Sequence, residues 1–240
     1  MIKNTEVHIS QDMEQLVKSF TEFFENQIIE TKRPFHVALS GGNTPKAWFD
    51  YLAKDNTAKI PWGNIHFYWG DERCVPPDHP ESNFGMTKKH LFDHVPVPEN
   101  NIHRICGECI PEDAAIAYSK HLAVSLPLSG TPQFDLVILG MGDDGHTASI
   151  FPHEIDLWDS DDLCVVATHP VTGQRRISLS GRMINNARHV AFLVAGSGKA
   201  EKVSAILNEA PESVKYPAAL VKTKMTHWFL DRDAASLLTL

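Results

Sequence analysis

Long apolar runs are absent from this sequence, and their absence argues against a membrane-spanning helix. A helical span needs roughly 20 consecutive apolar residues, and no stretch comes near that length. The amino terminus, MIKNTEVHISQDMEQ, is polar and lacks the apolar centre of a secretory signal. We therefore expect no membrane contact and a location in the cytoplasm.

Cysteine is also scarce, with four residues in a chain of 240, which is too few for a disulfide framework. Cys106 and Cys109 form a single CxxC pair. A structural zinc site would need a second such pair, and Cys74 and Cys164 do not supply one. The sequence therefore predicts four packed or incidental thiols and no metal site.

Basic residues are also fewer than acidic ones. The chain has 22 Lys and Arg residues against 30 Asp and Glu residues, a formal net charge of −8. Without a basic excess it has little to neutralise the phosphates of a nucleic acid or the surface of an anionic membrane. A small anionic ligand is still compatible with this composition if a few cations gather at one site.

Apolar and glycine-rich segments alternate with helical patterns along the whole chain. This alternation predicts an α/β protein, with a mainly parallel sheet covered by helices on both faces. The length and the 42% hydrophobic content suit one domain over residues 1–240. The predicted strands are 7–9, 35–39, 65–69, 102–105, 134–139, 163–168, 176–180, 190–195 and 227–230. The predicted helices are 11–31 with Ser10 as cap, 46–53, 83–92, 111–126, one through 207 with Lys199 in its first turn, and a short closing helix.

The most informative stretch is 134–153, FDLVILGMGDDGHTASIFPH. A continuous apolar run is typical of a parallel strand buried on both faces, and ligands collect beyond the carboxyl ends of such strands. Here the strand runs into a glycine-rich turn that presents His146, with Asp144 two residues before it. The alternative is a histidine that is only hydrogen-bonded in a loop, but this setting favours a catalytic imidazole and carboxylate.

Two further strand ends carry glycine turns, at 40–42 and 196–199. In a parallel sheet all three turns lie at the same edge, so they can converge on one ligand. Ser40, Gly41 and Gly42 precede a helix, whose first N–H groups favour an anion. Lys199 adds a positive charge, and together these residues predict phosphate binding.

Arg73, in the motif GDER, follows another predicted strand and is a candidate for binding phosphate or substrate oxygens. The alternative is a surface ion pair with Asp71 or Glu72, which would contribute little to stability. Arg176 has the same two interpretations, and its neighbour Arg175 could exchange roles with it.

Several common motifs are not satisfied. For a P-loop, Leu193 stands where the first glycine is required and Ala200 where Ser or Thr is required. No GxGxxG opens a helix after the early strand, and no GxSxG marks a nucleophilic serine. His153-Glu154 does not extend to HExxH because residue 157 is leucine, so no catalytic zinc is predicted.

Five segments together resemble the 6-phosphogluconolactonase family, within a group that also contains glucosamine-6-phosphate deaminases. They are LSGGNTP at 39–45, GDERCVPPDHPESN at 70–83, LGMGDDGHTASIFP at 139–152, RRISLS at 175–180 and GSGKA at 196–200. The resemblance runs through most of the chain and implies a three-layer α/β/α fold with a Rossmann-like sheet. It also implies hydrolysis of 6-phospho-D-glucono-1,5-lactone, the second step of the oxidative pentose phosphate pathway, without a metal or an organic cofactor.

For that reaction we expect neutral His146 to take a proton from the attacking water and Asp144 to orient the imidazole or the water. Backbone N–H groups of the 140–145 turn or of Gly41 and Gly42 would face the oxyanion. We expect a monomer or a weak homo-oligomer and no nucleic-acid partner. The residues expected to bind the substrate and its phosphate are Ser40, Gly41, Gly42, Asp71, Arg73, Arg176 and Lys199.

Two positions depart from the deaminase pattern. Arg73 stands where those enzymes have a tyrosine, and Phe151 stands where a glutamate would partner the histidine. Asp71 matches their proton-transfer aspartate, so deamination is disfavoured rather than excluded. A noncatalytic sugar-phosphate sensor is the other alternative, but no DNA-binding segment accompanies the chain.

Overall fold

The computed structural model describes residues 4–54, 60–129 and 131–238. The strands are β1 (Thr5–Ser10), β2 (Phe35–Leu39), β3 (Ile65–Trp69), β4 (Asp71–Arg73), β5 (Leu128–Ser129), β6 (Thr131–Pro132), β7 (Leu136–Leu139), β8 (Cys164–Thr168), β9 (Arg175–Leu179), β10 (His189–Val194) and β11 (Met225–Asp231). The α-helices are α1 (Met13–Glu30), α2 (Asn43–Ala53), α3 (Asn83–Thr87), α4 (Pro111–Ser125), α5 (Gly181–Asn185) and α6 (Ala200–Leu207).

A six-stranded sheet in the order β1-β11-β10-β7-β2-β3 forms the centre, and every neighbouring pair is parallel. All residues of β2 and β7 are buried, as expected for strands that helices cover on both faces. The prediction of an α/β fold with a mainly parallel sheet flanked by helices is confirmed.

A second sheet was not predicted. Strands β4, β9 and β8 form a three-stranded antiparallel sheet. The motif at 70–83 thus begins with a short strand, because its residues 71–73 pair with β9. This pairing places Arg73 opposite Arg176.

Several predicted boundaries differ from the structure. Helix α1 is capped by the Asp12 side chain, which accepts a hydrogen bond from the Gln15 N–H at 2.9 Å, and not by Ser10. Helix α2 begins at Asn43 instead of residue 46, because Gly42 is its N-cap, with a φ of 102°. The predicted strand at 102–105 is reduced to one bridge between Ile102 and Phe67.

Two helix predictions also change. The predicted helix 83–92 is α-helical only over α3 and continues as a π-helical turn, Lys88–Phe92. The predicted closing helix is absent from the described residues after β11, where 232–237 form turns.

Aromatic side chains dominate the core between the sheet and its helices. Phe20 of α1 packs edge-on against Trp48 of α2, with ring centroids 4.8 Å apart, and against Phe229 of β11 at 5.1 Å. Phe67 and Trp69 of β3 are fully buried, so both rings belong to the core. Within the described ranges, no helix is both long and apolar enough to cross a bilayer.

The prediction of four free thiols is wrong for one pair. Cys106 and Cys109 form a disulfide, with Cα atoms 5.5 Å apart, while Cys74 and Cys164 are free. The pair closes because residues 106–109 form a turn, in which the Cys109 N–H donates to the Cys106 carbonyl at 3.3 Å. This turn brings together two side chains that the CxxC spacing alone leaves undetermined.

Candidate active site

The three glycine turns meet at the carboxyl edge of the central sheet, because β2, β7 and β10 are neighbours. They surround a cavity of about 270 Å³. Of the nine predicted site residues, Asp144 alone does not line it, and Asp144 contacts His146. The eight that line it are Ser40, Gly41, Gly42, Asp71, Arg73, His146, Arg176 and Lys199.

His146 is oriented by Asp144. The Nδ1 of His146 lies 2.6 Å from Oδ1 of Asp144, and the His146 backbone N–H donates to the same oxygen at 3.0 Å. Burial acts to raise the pKa of Asp144, but these hydrogen bonds from His146 outweigh it and lower the pKa to about 2. Asp144 is therefore an acceptor at neutral pH, which places the proton of a neutral imidazole on Nδ1 and leaves the lone pair on Nε2.

The turn itself forces this orientation. A Cβ atom at Gly142 would lie 2.1 Å from His146 Nδ1 and 2.8 Å from Asp144 Oδ1, so only glycine leaves room for the pair. The Gly142 N–H donates to the His146 carbonyl at 2.9 Å, and the Gly145 N–H donates to the Gly142 carbonyl at 3.1 Å. These two N–H groups are thus engaged within the turn.

The other side of the imidazole is apolar. The ring of Phe151 is fully buried and its centroid lies 4.6 Å from that of His146. Phe151 occupies the position at which the deaminase pattern would carry a glutamate. In this chain the carboxylate partner of His146 is therefore Asp144.

Arg73 and Arg176 form the cationic wall of the cavity. They are paired across β4 and β9, and Arg176 is 9% exposed, with its guanidinium 5.5 Å above the Phe151 ring. Burial lowers the pKa of Arg176, and the charge of Arg73 lowers it further. The Nε atom of Arg73 is buried and has no hydrogen-bond partner among the described residues.

Arg175 does not share this role. Successive side chains of a strand point to opposite faces, and Arg175 is exposed and paired with Glu112 on α4. Of the two neighbouring arginines, Arg176 is therefore the one that lines the cavity.

Lys199 approaches from the turn after β10, where its Nζ pairs with the exposed carboxylate of Asp143. Across from it, α2 begins at the cavity, with Asn43, Thr44 and Pro45 in the lining. No side chain caps this helix at Gly42, so its first N–H groups face the cavity and can receive an anion.

Asp71 is a buried carboxylate, 4% exposed, in the floor of the cavity. The Ser149 hydroxyl donates to its Oδ2 at 2.5 Å, and the Asn83 amide donates to its Oδ1 at 3.3 Å and to its backbone carbonyl at 2.9 Å. These contacts fix the carboxylate between the two sheets.

Sequence reasoning missed the residues that hold Asp71 and the loop after it. Asn83 lines the cavity, and its signal was the end of the motif GDERCVPPDHPESN. Glu72 was considered only as a salt-bridge partner, yet it is 2% exposed and anchors the whole loop. Its carboxylate accepts from the backbone N–H groups of Arg73, Asn83 and Phe84 and from the Ser82 hydroxyl, at 2.7 to 3.1 Å.

The cavity offers a limited donor set for a metal. In the part of the chain that the structure describes, its lining contains one imidazole, His146, and one carboxylate, Asp71. A catalytic zinc site uses three protein ligands, so these residues do not fit one.

Fold and site together define an α/β protein with a cationic cavity at the carboxyl edge of its sheet and, in the cavity wall, an imidazole that a neighbouring carboxylate orients. The chain belongs to the family described as glucosamine-6-phosphate isomerases/6-phosphogluconolactonase, whose model matches residues 10–228.

Individual relatives agree with this assignment. The chain is 46% identical to a 6-phosphogluconolactonase of Haemophilus influenzae over 212 residues, which cover 87% of this chain and 90% of the relative. It is 40% identical to a 6-phosphogluconolactonase of Treponema pallidum over 222 residues, 92% of each chain. The structure of 6-phosphogluconolactonase from Trypanosoma brucei superposes with a TM-score of 0.86 at 27% identity, covering 98% of this chain and 99% of that one.

Proposed function

We propose that this protein hydrolyses 6-phospho-D-glucono-1,5-lactone to 6-phosphogluconate, the second step of the oxidative pentose phosphate pathway. The observation that carries the proposal is one cavity lined by His146, which Asp144 orients from behind, and by the three cations Arg73, Arg176 and Lys199. Relatives that carry the name 6-phosphogluconolactonase at 40 to 46% identity support it.

His146 is the general base of the proposed reaction. Its Nε2 accepts a proton from water as the water oxygen forms a bond to C1 of the lactone. The tetrahedral intermediate then collapses, the C1–O5 bond breaks, and the imidazolium returns the proton to O5. The new carboxylic acid loses its proton to solvent. Asp144 is the positioning residue, and its negative charge favours the transient imidazolium.

The oxyanion on C1 needs neutral donors that do not reorganise during the reaction. The N–H groups of Gly142 and Gly145 already donate within their own turn. We therefore assign the oxyanion donors to the turn formed by Ser40, Gly41 and Gly42, which lines the same cavity.

Phosphate recognition supplies binding energy far from the reacting bond. Arg73, Arg176 and Lys199 provide the positive charge, and a guanidinium can bind two phosphate oxygens at once. Holding the phosphate fixes C1 relative to His146, which converts binding energy into orientation.

The decisive experiment measures acid release from freshly prepared 6-phosphogluconolactone above the spontaneous rate, with unphosphorylated gluconolactone as the comparison substrate. A large preference for the phosphorylated lactone is expected, since only that substrate engages the cationic wall. A rate no higher than that of buffer would refute the proposal, and ligand binding without turnover would indicate a noncatalytic sensor.

Deamination is the nearest alternative because Asp71 lies in the cavity. Against it, Phe151 packs on His146 where the deaminase pattern requires a glutamate. We expect no ammonia from glucosamine 6-phosphate under conditions in which the lactone is turned over.

We also propose that the reaction takes place in the cytoplasm. Reducing compartments keep most thiols unpaired, and Cys74 and Cys164 are free. In that compartment the disulfide that the structure shows between Cys106 and Cys109 would be reduced to two thiols. Alkylation of fresh lysate should then modify both, whereas complete protection of the pair would contradict a cytoplasmic location.

A further inference from the structure

A second cluster of chemically capable side chains lies at the other end of the central sheet. Strands β1 and β11 are parallel neighbours, with Glu6 beside His227 and His8 beside Phe229. Because Glu6 and His8 are two residues apart on one strand, they share a face. The ligand atoms of Glu6, His8 and His227 all lie within 4.8 Å of one another.

Two nitrogens in this cluster lack a partner. The Nε2 of His8 and the Nδ1 of His227 are buried and make no hydrogen bond to any described residue. His227 itself is 3% exposed. Buried polar atoms nearly always have a hydrogen-bond partner. Two imidazole nitrogens that lack one and lie near the same carboxylate therefore indicate a binding site for a cation.

The separations between the ligand atoms are compatible with a metal site. Oε2 of Glu6 lies 3.2 Å from Nδ1 of His227 and 3.7 Å from Nε2 of His8. Metal–ligand bonds of about 2.0–2.1 Å in a tetrahedral zinc site place ligand atoms roughly 3.3 Å apart. The third separation is between Nε2 of His8 and Nδ1 of His227, which lie within 4.8 Å of each other. A modest side-chain rotation would bring these two nitrogens to about 3.3 Å.

His189 completes the arrangement from β10. Its Nδ1 lies 3.1 Å from Nε2 of His227. A hydrogen bond between these atoms leaves Nδ1 of His227 free for a metal and fixes the ring orientation, as partners of metal-bound histidines commonly do. On the other strand, His8 is held by stacking on Phe229, with ring centroids 4.4 Å apart.

We propose that Glu6, His8 and His227 form a binding site for a divalent transition metal, with zinc as the expected ion and a water molecule as its fourth ligand. Two imidazoles and one carboxylate are a ligand set that suits zinc. Glu6, whose side chain is 54% exposed, opens the site to solvent and provides an entry path.

The role of this site is structural. Its ligands lie within β1 and β11, whereas the catalytic cavity lies beyond the carboxyl ends of β2, β7 and β10. Strand β1 is an edge strand with β11 as its neighbour in the sheet. A metal held by both strands therefore fastens the first strand of the chain to the last.

The test uses the full chain without a polyhistidine tag and without added reductant, so that Cys106 and Cys109 stay bonded. Zinc binding is measured by isothermal titration calorimetry, and cobalt(II) is used as a coloured substitute that reports tetrahedral coordination. We expect one zinc ion per chain at this site. The variants Glu6→Gln and His8→Gln should weaken zinc binding by at least about tenfold each.

His94→Gln is the matched control, because it removes an exposed imidazole far along the chain. All variants keep His146, so any zinc bound at the catalytic cavity is common to them all. At a zinc concentration about a hundred times its Kd, the midpoint of thermal unfolding should rise by roughly 5 to 10 °C. The rise should persist in His94→Gln and be lost in Glu6→Gln and His8→Gln.

Two results would overturn the proposal. One is wild-type chain that binds no zinc at concentrations up to the millimolar range. The other is zinc affinity and cobalt absorption that remain unchanged in both Glu6→Gln and His8→Gln. Lactone turnover in the absence of added zinc should be the same in both variants as in the wild type, so failure of this proposal is distinct from failure of the proposed catalytic function.

Discussion

Arg73 and Arg176 lie directly opposite each other on β4 and β9, and both line the cavity that contains His146. Like charges in opposite positions destabilise a sheet, and burial of Arg176 adds to the effect. The pair is tolerated at a place where a dianion would relieve the repulsion. We regard this relationship as the clearest physical sign of a phosphate site.

Inorganic phosphate should therefore stabilise the protein through Arg176. At a concentration about ten times its Kd, it should raise the midpoint of thermal unfolding by roughly 3 to 6 °C. Arg176→Gln should remove most of this increase. The neighbouring variant Arg175→Gln should retain it, because Arg175 is exposed and pairs with Glu112. Equal loss in both variants would mean that the effect is nonspecific.

Substitution of His146 should abolish turnover while leaving binding intact. His146→Ala removes the proposed base, and general base catalysis contributes on the order of 10²- to 10⁴-fold. We expect kcat to fall by that factor, with little change in the Kd of 6-phosphogluconate measured by calorimetry. His153→Ala is the control, since this exposed histidine lies outside the cavity lining. Retention of full kcat in His146→Ala would exclude the assigned role.

Lys199 should affect binding of the phosphorylated substrate above all. A hydrogen bond to a charged group contributes about 1.5–3 kcal/mol, so Lys199→Ala should raise KM for the phosphorylated lactone roughly ten- to hundredfold. Its kcat should change little, and turnover of unphosphorylated gluconolactone should be unaffected. Lys202→Ala, three residues further along α6, should match the wild type. A fall in kcat without a change in KM would contradict this assignment.

Gly142 should be required for the geometry of the base. In Gly142→Ala the new Cβ would occupy space 2.1 Å from His146 Nδ1, so the imidazole must leave Asp144. We expect a loss of kcat approaching that of His146→Ala, with thermal stability close to the wild type. At Gly63 nothing lies within 4 Å of an added Cβ, which makes Gly63→Ala the control. Unchanged kcat in Gly142→Ala would show that the His146–Asp144 contact is dispensable.

Acid should destabilise the fold through a row of partly buried histidines. Nδ1 of His66 lies 3.0 Å from Nε2 of His103, and Nδ1 of His103 lies 2.9 Å from Nε2 of His121. Burial lowers the pKa of His103 to about 4, helped by the neighbouring imidazoles, and burial also lowers that of His36 to about 4. In the unfolded chain both titrate near 6.5.

Between these values the unfolded state binds more protons, so the free energy of unfolding should decrease as pH falls from about 6.5 to 4. Above 6.5 these groups should contribute no pH dependence. Urea unfolding midpoints at several pH values measure the trend. His103→Gln should flatten the slope relative to His94→Gln, which removes an exposed histidine. A midpoint that is constant from pH 7 to 4.5 would contradict the prediction.

The parts of the site that were predictable depend on local sequence. Asp144 and His146 are two residues apart in one turn, so their contact follows from the backbone of that turn. The convergence of the turns at 40–42, 140–145 and 196–199 was also predictable, because the carboxyl ends of parallel strands share an edge. That rule applies without knowledge of the strand order.

Contacts between distant segments were not predictable. Arg73 and Arg176 are paired in the antiparallel sheet although they are about a hundred positions apart in the chain. No local sequence pattern indicates the register of that pairing. The same holds for Asn83 at the start of α3 and Ser149 in the turn after β7, which both hydrogen-bond to Asp71. The Cys106–Cys109 disulfide depended on the turn geometry, since the CxxC spacing also suits free thiols and metal ligands.

The sequence by itself determined the fold class, the glycine-rich turn that carries Asp144 and His146, and the family, because periodicity, glycine positions and short motifs act over a few residues. Only the tertiary structure decided between Arg175 and Arg176, showed the partners of Asp71, and brought Glu6 and His8 beside His227. The physical reason is common to all three. Strand pairing and register are set by the packing of the whole core, and a shift of one residue would turn Asp71, Arg176 or His227 to the opposite face of its sheet.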